Sequence, residues 1–170
     1  DFTDGSMKLK NYRDRDQFIA SYPFPPYQYD LFQMAITSLS EHNAFEGKHS
    51  SVGERSMLGV FQEVSKKLKD REVGGLATFD LMFEGIRTAL KSSVQQSIQI
   101  AEKNLDDPFA VRVLKSLFLV KYVKGFKPSV RNIGILLLSE FEADQTTQRR
   151  QIEEALSRLE RETYIQRNGE

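Results

Sequence analysis

Residues 22–33, YPFPPYQYDLFQ, and residues 45–63, FEGKHSSVGERSMLGVFQE, carry the pattern that decides the fold. The three prolines within residues 23–26 predict an extended backbone, because proline restricts its own φ and disfavours the α region for the residue before it. From Tyr27 onward, apolar residues recur at the spacing of an α-helix. The two stretches therefore predict a stiff aromatic segment, an amphipathic helix, a polar loop and a second helix.

The helical spacing continues on both sides of these stretches, without a strand pattern before residue 105. Residues 1–13 are polar and are interpreted as a connector. Residues 14–104 are interpreted as a helical bundle. Its predicted helices cover residues 14–21, 27 to about 43, about 52–69, a segment capped by Thr78, and about 93–104.

Residues 107–170 have a different character. Asp107 before Pro108 is a helix-start signal, since proline suits the first helical position. The predicted elements are a strongly apolar helix from Pro108, a helix over residues 132–141, a helix capped by Asp144 or Thr146, and a strand at residues 164–167. Three helices and a strand are the outline of a winged helix with a truncated β-wing. The fold class is therefore mainly all-α, a helical bundle followed by a winged-helix domain.

The composition excludes several classes of site. The chain has no cysteine, which excludes disulfides and thiolate metal sites, and two histidines are too few for a multi-histidine metal site. It has no GxxxxGK[ST] motif and no catalytic constellation, and no apolar run long enough to cross a bilayer. The net charge is zero, so any nucleic-acid-binding patch must be local. The absence of cysteine fits a cytoplasmic location.

Arg55 is the candidate phosphate ligand, because it is predicted in the first turn of a helix that follows a Gly-containing loop. A guanidinium stays charged at physiological pH and forms bidentate hydrogen bonds with phosphate. Lys48 and His49 lie in the same loop and are further candidates for contact with a nucleotide. The alternatives are an exposed arginine paired with a neighbouring glutamate, and solvated loop side chains.

The last predicted helix carries the candidate DNA contacts, Arg149, Arg150, Arg158 and Arg161. Glutamates are interspersed with these arginines. A helix that reads DNA is usually more basic, because phosphate neutralisation supplies most of the non-specific affinity. The alternative is therefore a solvated or protein-facing surface.

The aromatic residues between Tyr22 and Phe32 also have two interpretations. They pack the connector onto the bundle as part of the core, since aromatic burial dominates core energetics. Alternatively, they form an exposed apolar surface against which another domain or subunit docks.

Three runs resemble the BREX phage-defence P-loop ATPase family BrxC/PglY, which is AAA+-like. They are YPFPPYQYDLFQ at 22–33, GKHSSVGERSMLGVFQE at 47–63, and the C-terminal run with VLKSLFLVKYV, NIGILLL and LSRLERETYIQRNGE. The resemblance covers nearly the whole chain. It implies that the chain is a lid and winged-helix fragment of a larger ATPase. Such lids carry an arginine that senses the γ-phosphate, and Arg55 in Gly53-Glu54-Arg55 matches that pattern.

The resemblance also implies cofactors and partners. ATP and Mg would bind the longer protein, and none is expected for this fragment alone, which lacks the Walker motifs and is predicted to be inactive alone. The implied partners are the ATPase core of the same protein, other BREX subunits and double-stranded DNA, with an oligomeric full-length protein and no membrane. Asp1 in place of Met and the final predicted strand without a returning partner favour a piece of a longer protein.

Two rival classes remain open. One is a stand-alone DNA-binding winged-helix regulator with a helical dimerisation domain, which would bind duplex DNA in a salt-dependent way. The other is a protein-interaction scaffold, which would associate with itself and bind neither DNA nor nucleotide.

Overall fold

The structure, a computed structural model, describes residues 1–47 and 54–168, and the side chains of residues 54–56 lie outside that description. Within these residues the chain is built of α-helices, with one 3₁₀ turn at Arg87–Ala89 and no β-strand. The all-α prediction is therefore confirmed for the described part. The helices are α1 (Arg15–Ser21), α2 (Tyr27–Glu41), α3 (Glu54–Leu68), α4 (Leu81–Ile86), α5 (Ser92–Asn104), α6 (Pro108–Val120), α7 (Val130–Leu136) and α8 (Gln145–Arg161).

Side-chain caps begin several of these helices, and for α6 and α8 the sequence predicts the capping residue. Asp14 accepts a hydrogen bond from the Gln17 amide at 2.8 Å at the start of α1. Asp107 accepts one from the Ala110 amide at 3.0 Å, with Pro108 at the first position of α6. Asp144 caps α8. Each cap satisfies a backbone N–H that has no partner within the helix, which is why these starts were predictable.

Two predicted helix boundaries are wrong. Thr78 does not cap α4, which begins at Leu81 instead, and the Thr78 hydroxyl accepts a hydrogen bond from Arg112 at 3.3 Å. The helix predicted over residues 132–141 begins earlier and ends earlier, because α7 begins at Val130, after its cap Ser129, and ends at Leu136. There the chain turns, so that the carbonyl oxygens of Leu136 and Ser139 accept hydrogen bonds from residues 79 and 76. Hydrogen bonds to residues distant in sequence therefore accompany an earlier end of this helix than its apolar pattern predicts.

The strand predicted at residues 164–167 is also wrong for the described chain. Thr163 has a positive φ of 65°, and the amides of Tyr164 and Ile165 bond to the Leu159 carbonyl in the last turn of α8. These residues therefore close a helix C-terminus, a role for which a left-handed residue is typical. Their alternating apolar pattern reflects packing against the helix end rather than pairing with a strand. No β-wing is seen in the described residues.

One hydrophobic core joins the two predicted segments. Phe32, Phe79 and Leu119 are fully buried in it. The Phe79 amide donates a hydrogen bond to the Leu136 carbonyl at 2.8 Å, and the Tyr27 hydroxyl donates one to the Ile135 carbonyl at 3.1 Å. The division into residues 14–104 and 107–170 stays a prediction, but the first segment packs directly on α6 and α7.

The aromatic segment before α2 largely contributes to this core. Phe24 and Tyr27 are each 6% exposed and Phe32 is fully buried, which confirms the core interpretation for these three side chains. Tyr29 is partly exposed and stacks on Phe61 of α3 with a centroid distance of 4.7 Å. Among the described helices, none has the length and apolarity required to span a bilayer.

Close packing of α3 on α4 depends on Gly85. A Cβ atom at Gly85 would lie 2.5 Å from Cγ1 of Val60, a distance that real Cβ atoms do not tolerate. Val60 is itself buried and lies in the middle of α3. The absence of a side chain at Gly85 therefore allows α3, whose first turn carries Arg55, to pack closely on α4.

We expect Gly85→Ala to destabilise the fold by about 1–3 kcal/mol, because the added methyl group must displace Val60. Gly59→Ala is the matched control. Gly59 lies in α3 with no neighbouring atom within 4 Å of the added Cβ, so this change should stabilise the fold by about 0.5–1 kcal/mol through helix propensity. Urea unfolding of both variants measures the two effects. Equal shifts of the same sign would contradict the packing role of Gly85.

Candidate functional site

Arg55 lies in the first turn of α3, as predicted, since α3 spans Glu54–Leu68. Its side chain lies outside the described part of the structure, and so do Lys48 and His49. The predicted contacts of these three residues with a nucleotide therefore stay predictions. The structure describes the residues that lie before and after them.

The described residues on either side of residues 48–53 are held by the core. Before these residues, Phe45 forms an isolated antiparallel bridge with Leu90, and the Glu46 amide bonds to the Ala89 carbonyl at 2.9 Å. After them, Phe61 of α3 packs edge-on against Phe24 with a centroid distance of 5.0 Å. The helix that carries Arg55 is therefore packed against the core of the molecule.

The arginines at the N-terminal half of α8 are exposed and paired along their own helix. Arg149 Nε lies 3.0 Å from Glu153 Oε1, and Arg150 Nε lies 4.0 Å from Glu154 Oε1. All four side chains are about half exposed or more, so these pairs contribute little to stability. The exposed surface around Arg149 and Arg150 consequently carries balanced charge.

The other two arginines of α8 lie apart from this surface. Arg158 is half-buried, and its guanidinium lies 3.1 Å from Glu162 and 3.8 Å from Asp107, the N-cap of α6. It also donates a hydrogen bond to the Asp106 carbonyl at 3.5 Å. Arg158 therefore links the end of α8 to the start of α6. Arg161 is exposed at the last position of α8.

A network of four charged side chains links α4, α5 and α6, and the sequence reasoning missed it. Lys115 Nζ lies 2.8 Å from carboxylate oxygens of both Glu84 and Glu102. Arg87 contacts the same two glutamates. Its guanidinium also lies 5.2 Å from the ring centroid of Phe83, a cation–π distance. The two basic residues of the mainly apolar helix α6, Arg112 and Lys115, were the available sequence signal for charged partners.

A second polar contact crosses from the first segment to α6. Arg112 Nε lies 3.2 Å from Asp80 Oδ2, and the Asp80 side chain is only 5% exposed. The Arg112 guanidinium also lies 5.8 Å from the ring centroid of Phe109. A buried carboxylate requires a charged partner, because desolvation of an unpaired charge is costly. Asp80–Arg112 and the four-residue network therefore tie α6 to the helices before it.

Hydrogen bonds from Arg87, and then from Lys115, lower the pKa of Glu102 to about 2, from an ordinary value of 4.5. A lowered folded-state pKa means that this carboxylate stabilises the fold above its unfolded pKa and that the contribution is lost as pH falls. The window for this loss runs from about 4.5 down to about 2.

We expect the wild-type chain to lose on the order of 2 kcal/mol of unfolding free energy across this window through Glu102, after allowance for partial exposure. Glu102→Gln should flatten the pH dependence there. Urea unfolding at a series of pH values measures it. Glu154→Gln is the control, since Glu154 is 71% exposed, and it should keep the wild-type slope. If the unfolding free energy of Glu102→Gln varied with pH as steeply as that of the wild type, Glu102 would not be the source of this pH dependence.

The described residues contain no group of three or more histidine, cysteine, aspartate or glutamate side chains that could hold a metal ion. Comparison with known proteins finds no family model and no solved structure that matches this chain.

Proposed function

We propose that this chain is the lid and winged-helix part of a BREX-type AAA+ ATPase in anti-phage defence, and that it couples nucleotide state to contacts with a partner. The proposal rests on the sequence motifs at residues 22–33 and 47–63 together with the placement of Arg55 in the first turn of α3. A helix start presents unpaired N–H groups and a favourable dipole to a phosphate. Arg55 would add a fixed cation to that environment.

The packing of α3 supports a mechanical role for this arginine. With ATP bound to the core of the longer protein, Arg55 would engage the γ-phosphate, and hydrolysis would release it. ATP and Mg would be held by residues outside this chain, and the magnesium ion would neutralise phosphate charge. Because α3 packs on α4 and the network around Lys115 joins α4 to α6, displacement of α3 would also move α6.

The helices α6, α7 and α8 pack on one another as a three-helix unit, which is compatible with the core of a winged helix. The exposed side of α8 favours a protein partner over DNA. Arg149 and Arg150 are each paired with a glutamate one turn later, so few phosphates would be neutralised without breaking these pairs. A stand-alone DNA-binding regulator is accordingly the weaker candidate. Other subunits of the defence system, in the cytoplasm, are the proposed partners.

The test is ATP turnover by a longer protein that contains this chain, with Arg55 intact and with Arg55→Ala. This 170-residue chain alone serves as the blank. Slower turnover with ATP still bound supports the sensing role. Unchanged turnover contradicts it.

A further inference from the structure

The N-terminal residues cross the surface between α2 and the α6–α7 connection. We call residues 2–7 the strap, a segment without helix or strand that contacts both elements. The Met7 amide donates a hydrogen bond to the Gly125 carbonyl at 2.8 Å, and the Ser6 hydroxyl accepts one from the Lys127 amide at 3.2 Å. The strap therefore contacts residues that lie more than 100 positions later in the sequence.

Asn132 recognises the backbone of the strap. Its Oδ1 accepts a hydrogen bond from the Thr3 amide at 3.0 Å, and its Nδ2 donates one to the Thr3 carbonyl at 3.0 Å. Nδ2 also donates to the Lys127 carbonyl at 2.8 Å. The Asn132 amide thus pairs with both backbone groups of Thr3, at the start of a turn in which the Ser6 amide donates a hydrogen bond to the Thr3 carbonyl at 3.0 Å.

Phe2 supplies the side-chain anchor of the strap. Its ring lies edge-on to Tyr27 with a centroid distance of 4.9 Å and edge-on to Phe126 at 5.4 Å. Edge-to-face pairs of this kind add binding energy beyond the buried area. Tyr27 belongs to α2 and Phe126 to the α6–α7 connection, so Phe2 bridges the two.

Two further contacts hold the strap on this surface. The Ser129 hydroxyl donates a hydrogen bond to the Asp4 carboxylate. At Gly125, which has a φ of +81°, a Cβ atom would lie 3.3 Å from Cε of Met7, so the absence of a side chain lets the strap approach closely.

The strap is more exposed to solvent than the residues on which it lies. None of residues 1–13 is buried, whereas Tyr27, Phe126 and Asn132 beneath the strap are 6%, 7% and 0% exposed. A surface segment whose residues all stay partly exposed opens more readily than the core beneath it. We propose that the strap is a detachable segment seated in a peptide-binding groove formed by Tyr27, Phe126 and Asn132. Its release uncovers the groove and removes a tie between α2 and the three-helix unit.

The first test uses a fluorescent peptide with the sequence of residues 1–10, DFTDGSMKLK, titrated against the full chain. In the wild type, the tethered strap competes at a high effective concentration, so the peptide binds weakly. Phe2→Ala in the chain weakens the tethered strap but leaves the groove intact. We expect it to raise the affinity for the peptide roughly tenfold or more. A peptide that itself carries Phe2→Ala should not show this increase in affinity for the Phe2→Ala chain.

Equal affinity of the peptide for the wild-type and Phe2→Ala chains would overturn the proposal, as would equal affinity of both peptides for the variant. Amide hydrogen exchange in the wild-type chain provides a second test that needs no variant. The Thr3 and Met7 amides, which are bonded to the groove, should exchange at least tenfold faster than the Phe79 amide, which is bonded to Leu136 in the core. If the three amides exchanged at one rate, the strap would open only on global unfolding. That result would also overturn the proposal.

Discussion

Replacement of Arg55 by alanine is expected to slow ATP turnover by the longer protein roughly 30- to 1000-fold. The proposed function requires a charge-assisted contact from this guanidinium to the transferred phosphoryl group. Loss of such a contact raises the activation barrier by about 2–4 kcal/mol. Steady-state ATP hydrolysis gives the rate, and a nucleotide-binding measurement shows whether ATP still binds.

Arg71→Ala is a suitable control for this experiment. Arg71 is exposed just beyond the C-terminal end of α3, so the substitution removes the same charge far along the helix from Arg55. We expect turnover within about twofold of wild type, because surface substitutions of this kind have small effects. An equal fall in both variants would attribute the loss to net charge or folding rather than to phosphate sensing.

Phe79→Ala is expected to destabilise the fold by about 3–5 kcal/mol, the usual range for a large aromatic side chain removed from a core. Phe79 is fully buried, and its ring lies 6.4 Å from that of Phe32 and 6.5 Å from that of Tyr27 between centroids. The resulting cavity would lie where the first segment meets α7. For a chain of this size the melting temperature should fall by roughly 10 °C.

The matched control removes the same side chain from the surface. Phe141 is 57% exposed and has only tilted contacts with Tyr12 and Phe18, so Phe141→Ala should cost less than about 1 kcal/mol. Urea unfolding and calorimetry of both variants measure the difference. Similar losses at the two positions would contradict the single core shared by the two segments.

Helices with their own caps and a one-sided apolar stripe were predictable from the sequence. The predicted starts of α1, α6 and α8 agree with the structure, and each of these helices has a side-chain cap, from Asp14, Asp107 and Asp144. Local signals suffice there, because a cap residue and the helical spacing lie within a few positions of each other. For the candidate nucleotide site, the sequence likewise placed Arg55 in the first turn of α3, whereas the contacts of its side chain stay a prediction.

Elements whose limits depend on distant partners were not predictable in this way. The end of α7 follows from hydrogen bonds to residues 76 and 79, which lie far away in the sequence. The role of Arg158 likewise depends on Asp107, which its position among the arginines of α8 did not reveal. In each case the partner is distant in sequence, so no local pattern indicates it.

The sequence by itself therefore determined the all-α class, the capped starts of α1, α6 and α8, and the position of Arg55 in α3, since these depend on residues close together in the chain. Only the tertiary structure decided the shared core, the charged network around Lys115 and the seating of the strap. Thr3 and Asn132 are 129 residues apart, and no periodic pattern connects them. Their pairing follows from packing that brings α7 beside the N-terminal residues, where buried polar groups must find partners.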